Sequence, residues 1–194
     1  DLKFKNKIIE LERIKTNISI KSFLNNQFSI KNINISTKPI EVKNLISFIR
    51  LIQKDPKLFI AEKMINKGYF ISDIKIEFDD NGNIKDNFEI NGFVKQGKIS
   101  LFDKYNLSNL DFIFFFNKDS LKIENLKLSI NDKNFLLPKS NIKKSKDKFL
   151  ISGILENKKI SLNKNEIDDL FGQYIFDSRI NKIEFLSINK FSFD

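Results

Sequence analysis

The stretch Leu110 to Phe116 (LDFIFFF) restricts the fold more than any other part of the chain. In an extended segment successive side chains point to opposite faces. Leu110, Phe112, Phe114 and Phe116 therefore share one face, while Ile113 and Phe115 share the other. Both faces of such a strand leave water. The next run, Leu121 to Ile130 (LKIENLKLSI), sets Lys122, Glu124, Lys127 and Ser129 between apolar residues, the pattern of a half-buried strand. A strand that is apolar on both sides is thus joined to an amphipathic one, and the fold must supply something apolar for the additional face.

The two-residue period recurs on either side of one helical insertion. KTNISIKSFL sets Ile18 and Ile20 on one face, and FSIKNINIS does the same with Phe28 and Ile30, then with Ile33 and Ile35. The phase slips by one residue between Ile30 and Ile33, which predicts a bulge or turn at Lys31 or Asn32, and Pro39 closes the region. Val42, Leu45, Ile46, Ile49 and Ile52 then recur at helical spacing. Asp55 followed by Pro56 is an N-cap and N1 pair, so a second helix is expected from Pro56 to about Asn66, ending near Gly68. Beyond Tyr69, ISDIKIEF places Ile74, Ile76 and Phe78 on one face, meets the hairpin signal Asn81-Gly82, and returns as IKDNFEINGFV. Further turns are expected at Gln96-Gly97, Asn117 to Asp119, Asn131 to Asn134 and Asn157 to Lys159. A short helix over Asn165 to Phe171, stopped by Gly172, precedes a last strand pair from Asn181 to Phe193.

Composition removes most catalytic chemistry. The chain has no Cys, no His and no Trp, so disulfides, thiolate metal sites, cysteine nucleophiles and imidazole bases are excluded, and its serines have no histidine to activate them. Asp79-Asp80 falls in a predicted hairpin turn and Asp168-Asp169 on a short polar helix, where carboxylates solvate the surface. Gly92 and Gly97 open no helix after a strand and form no phosphate loop. No enzyme activity, metal or cofactor is expected. The net charge of +9 comes almost wholly from Lys, since Arg13, Arg50 and Arg179 are the arginines. A Lys, Asn and Ile bias of this kind follows from AT-rich coding, and scarce Arg argues against nucleic-acid recognition. The densest basic cluster, Lys139 to Lys148, lacks interleaved aromatics and is expected to be a solvated loop or an edge strand protected by lysines. The 21 Phe against three Tyr are rings chosen for volume without a polar handle. Base-stacking sheets set cations beside such rings, but Phe112, Phe114 and Phe116 have apolar companions. They belong either to a closed core or to a surface that meets something equally apolar.

Three stretches carry a family resemblance. Thr16 to Arg50 (TNISIKSFLNNQFSIKNINISTKPIEVKNLISFIR) gives a strand, a short connector, a second strand and a helix. Gly92 to Phe116 (GFVKQGKISLFDKYNLSNLDFIFFF) and Phe149 to Leu155 (FLISGIL) supply strands in the order that follows. Together they resemble the AsmA-like family of bacterial envelope proteins, of the AsmA, YhdP and TamB type. The resemblance implies a periplasmic protein held to the inner membrane by an N-terminal helix outside this chain, with a long curved antiparallel sheet whose groove carries phospholipid toward the outer membrane. It carries over no catalytic residues.

The fold expected is therefore mainly β: a long curved antiparallel sheet of about ten strands, a β-groove, with a helical insertion over about residues 42–66. Its alternative is a β-sandwich acting as a non-catalytic structural or interaction domain of the envelope. Residues 1–194, opening on Asp1 and not Met, are expected to be one segment of a larger protein. No run of 18 apolar residues occurs that could span a membrane. On the groove reading, acyl chains lie against Ile74, Ile76, Phe78, Phe112, Phe114, Phe116, Leu126, Leu128 and Ile130. Short helices would then cover part of the other face, and a phase change near Asn125 would govern how the last three residues point.

Overall fold

The structure is a computed structural model that describes residues 1–4, 7–25, 28, 30–52, 55–101, 105–131, 133–145, 148–171 and 179–193. Twelve strands are assigned: β1 (Leu2–Phe4), β2 (Lys7–Ile9), β3 (Leu11–Ile18), β4 (Ile30–Thr37), β5 (Ile40–Glu41), β6 (Ile65–Glu77), β7 (Glu89–Leu101), β8 (Tyr105–Asn117), β9 (Ser120–Ile130), β10 (Lys133–Ser145), β11 (Lys148–Asn163) and β12 (Lys182–Phe193). Four helices accompany them: α1 (Ile20–Leu24), α2 (Val42–Ile52), α3 (Pro56–Met64) and α4 (Lys164–Phe171). β1 and β2 form a hairpin of their own.

The other strands form a single antiparallel sheet in the order β12-β11-β10-β9-β8-β7-β6-β4-β3, with β5 paired beside β4 on β6. From β6 onward, each strand pairs with the next in sequence, as hairpin signals in the loops dictate. The sheet does not close, because β3 and β12 are its edges. No second large sheet faces it among the described residues, so the sandwich alternative is not realised. The accessible surface records this open architecture: 14239 Å², against about 9,600 Å² for a compact chain of this mass.

Irregularities inside long strands account for several differences from the expected layout. Gln96, Asn109 and Asn125 have φ of 53°, 54° and 53° in the interiors of β7, β8 and β9. Gln96-Gly97 is accordingly a bulge and not a turn, marked by a register shift between Val94 and Gly97. Asn157 to Lys159 is likewise a register shift within β11. The expected slip near Lys31 is present, since Asn17 pairs with Asn32 while Ile18 pairs with Ile30. Lys139 to Ser145 belong to β10, an interior strand flanked by β9 and β11, so this cluster protects no edge. The segment after Asn181 is the single strand β12 and not a pair.

Helix ends follow local capping. Asp55 Oδ1 accepts from Lys57 N at 2.8 Å, which starts α3 at Pro56. The helix stops at Met64, and Asn66 and Gly68 belong to β6. Ile20 opens α1 instead of extending β3, because Ser19 caps that turn. At α4, Asn163 Oδ1 accepts from Glu166 N at 3.1 Å while Glu166 Oε2 accepts from Asn163 N at 2.9 Å, a reciprocal capping box. Ile167 of that helix is 1% exposed over Ile160 and Leu162, with Phe135 and Ile183 packed around them. The expected stop at Gly172 lies outside the described residues.

Candidate functional site: an uncovered apolar face

Residues directly opposite one another in an antiparallel ladder share a face. Following the pairs from edge to edge gives Ile14, Ile35, Ile74, Ile90, Phe116, Leu121, Ile142, Ile151 and Phe193. Every one of the nine strands on the sheet path contributes an apolar residue to this row, which spans about 38 Å at ~4.8 Å per strand spacing. None of the nine is buried, and Phe116 at the centre is 39% exposed. The row one residue away on the opposite face reads Arg13, Ser36, Asp73, Asn91, Phe115, Lys122, Asn141, Ser152 and Ser192, polar except for Phe115. The sheet is therefore two-faced across its whole width.

A second row on the apolar face sets pairs of small residues beside large ones: Ser72, Gly92, Phe114, Ile123, Ser140, Gly153, Phe191. Rings lie over the glycines. A Cβ at Gly153 would stand 2.7 Å from Phe191 Cζ. Phe114 is only 6% exposed, stacked on Phe70 with centroids 5.3 Å apart and met by the edge of Phe112 at 6.4 Å. Lateral packing within one layer thus buries Phe114, while Phe116 beside it stays open.

All nine residues selected from the sequence lie on this face. Ile74 and Phe116 belong to the first row, Ile76 pairs with Ile33, and Phe112 joins through Val94 to Phe70. Phe78 continues the alternation of Ile74 and Ile76, with its ring 5.5 Å from that of Phe28. Lys127 pairs with Asp111, which points away from Leu110 and Phe112, so Leu126, Leu128 and Ile130 point to the apolar side. The left-handed residue Asn125 absorbs the phase change that would otherwise put Ile123 and Leu126 on opposite faces. Leu128 is buried beside its partner Phe135, which packs on the cluster beneath α4. This end of the face is consequently covered.

The sequence reading missed Ile14, Ile35, Ile90, Leu121, Ile142, Ile151 and Phe193. Each sits in a visible alternation, but only strand register reveals that they align. The expected helical cover over the second face of β8 is also not realised, because α2 and α3 pack on β6 and β7, and α4 packs on β11 and β12. Ile113 and Phe115 remain exposed on the opposite face, where Ile113 continues an apolar line through Phe93 to Ile71.

Charges are absent from the row itself, and Lys144, opposite Phe149, lies two residues beyond it on the same face. Lys95 meets Asp111 at 3.7 Å and Lys75 meets Glu77 at 2.7 Å on the polar side. The Lys75 hydrogen bond, followed by that of Asn87, holds the Glu77 carboxyl below the usual carboxylate range. Asp79 closes the turn before β7, accepting from Asn83 N at 2.8 Å, Asn81 N at 2.9 Å and Asn83 Nδ2 at 3.1 Å. Asp168 and Asp169 are exposed on α4. No three acidic side chains converge as metal ligands would among the described residues. No protein-family model, curated protein or solved structure matches the chain.

Proposed function

We propose that this chain is a section of a lipid-carrying groove, in which phospholipid acyl chains lie along the apolar face. The observation that carries this reading is the nine-strand row from Ile14 to Phe193, apolar at every position and, among the described residues, covered by no other element at its centre. Burying such a surface gains about 25 cal/mol per Å², so an occupant is strongly favoured. Its chemistry is that of hydrocarbon, because the row offers no side-chain hydrogen-bonding group over about 38 Å. A protein partner would bring roughly one hydrogen bond per 100–200 Å² of interface and would need polar groups to receive them.

On this reading the chain is non-catalytic, needs no cofactor, and serves an AsmA-like bridge between inner and outer membranes in the periplasm. A helix elsewhere in the full-length protein would anchor it to the inner membrane. The test is crosslinking to a phospholipid with a photoreactive acyl tail. Label should reach the wild type, fall sharply in Phe116→Asp and Ile142→Asp, and persist in Ser152→Asp on the polar face. Absence of label in the wild type, or equal label in all variants, would overturn the reading.

A further inference from the structure

We propose that the tip of the β3–β4 connection, built around α1, docks on an anionic lipid bilayer. Ile20, Phe23 and Leu24 are spaced i, i+3, i+4 and form one stripe on the helix. They are 74%, 67% and 73% exposed. The buried side chain of α1 is Ser22, whose backbone N–H and hydroxyl donate to Ser19 Oγ at 3.2 and 2.9 Å. The helix thus satisfies its polar groups internally and presents its apolar stripe to the outside. Among the described residues it packs closely on no other element, and Ile18 just before it is exposed as well.

Charge selects the partner. From Arg13 to Ile40 the chain contains no Asp or Glu, yet it carries Arg13, Lys15, Lys21, Lys31 and Lys38. All five are exposed. Lys38, at the end of the hairpin away from α1, is held by Glu10 at 3.1 Å. The other four lie on β3, α1 and β4, Lys21 within the helix and Lys31 next to Ile30, which pairs with Ile18 just before it; Glu77, which faces this end of β4 from β6, is held by Lys75. A short aliphatic and aromatic stripe set among lysines suits insertion at the boundary between acyl chains and headgroups, with the cations drawn to anionic lipid. Nucleic acid would use the lysines but leave the stripe in water. This surface lies outside the rows of the sheet face, so it holds whether or not that face carries lipid.

The chain has no tryptophan, so Phe23→Trp supplies a single fluorescent reporter. Mixed phosphatidylcholine and phosphatidylglycerol vesicles should shift its emission to the blue, and pure phosphatidylcholine vesicles should shift it much less. Ile20→Asp with Leu24→Asp should weaken vesicle co-sedimentation by about tenfold or more, and Lys21→Glu with Lys31→Glu should remove the preference for the anionic vesicles. Far-UV circular dichroism should be unchanged in both variants. Labelling by a monomeric photoreactive acyl probe should also survive in the Ile20, Leu24 variant, which separates this surface from the sheet face. An unshifted emission, or vesicle binding equal in wild type and variants, would overturn the proposal.

Discussion

Gly92 and Phe114 stand directly opposite each other on β7 and β8, and a Cβ at position 92 would clash with the Ile71 carbonyl oxygen, lie 2.9 Å from Ser72 Cα and reach 3.0 Å from Phe114 Cζ. The missing side chain is what lets the β6 backbone approach this closely and the ring fold down beside it. Gly92→Ala is expected to cost about 1–3 kcal/mol through overpacking, measured as a lower urea midpoint. An unchanged midpoint would contradict this close approach of the β6 backbone.

Aspartate should be tolerated very differently at two positions on the same strand. Phe114→Asp puts an unpaired carboxylate under Phe70 and Phe112 and should cost about 3 kcal/mol or more. Phe116→Asp leaves the carboxylate in water and should cost about 1 kcal/mol or less. Thermal melts of the lipid-free variants compare the two, and equal losses would show that the face around Phe116 is sealed.

Ile167 is the most deeply buried side chain of the α4 cluster. Ile167→Ala should destabilise the chain by about 2–4 kcal/mol, and hydrogen exchange should rise first in α4 and the adjoining end of β11. Uniformly faster exchange across the sheet would contradict this local role.

Asp79 supplies an acid-sensitive point. The Asn83 side-chain amide, then the Asn83 backbone N–H and further amides, hold its carboxyl below the usual range. A depressed folded-state value means that the stabilisation is fully present above the unfolded-state value and is lost as pH falls through the folded one. The turn before β7 should therefore stay protected at neutral pH and open below the ordinary aspartate range. Amide exchange at Asn81 and Asn83 reads this directly, and Asp79→Asn should flatten the response.

The strand count, the open hairpin order and both helices of the insertion were legible because alternation and capping are local signals. Asn81-Gly82 and Asn117 to Asp119 turned the chain where expected. Gln96-Gly97 and Asn157 to Lys159 did not, because a residue such as Gln96 in left-handed backbone serves a bulge as readily as a hairpin, and only neighbouring register distinguishes the two. Ile20 looked like a strand residue until Ser19 capped a helix ahead of it. The face of Leu126 to Ile130 depended on Asn125, whose sequence context marks the phase change. What no single strand could reveal was that nine separate alternations fall into one line.

The sheet behaves mechanically as a ladder of repeated rungs. Each strand leans mainly on the one before and the one after it, so stability accumulates rung by rung, as in one-dimensional arrays. Damage at β12 should soften β11 and barely reach β6, and melting should begin at the two free ends. Length is equally modular. One further hairpin paired to β3 or β12 would extend the apolar row by about 10 Å without redesign of the rungs already in place.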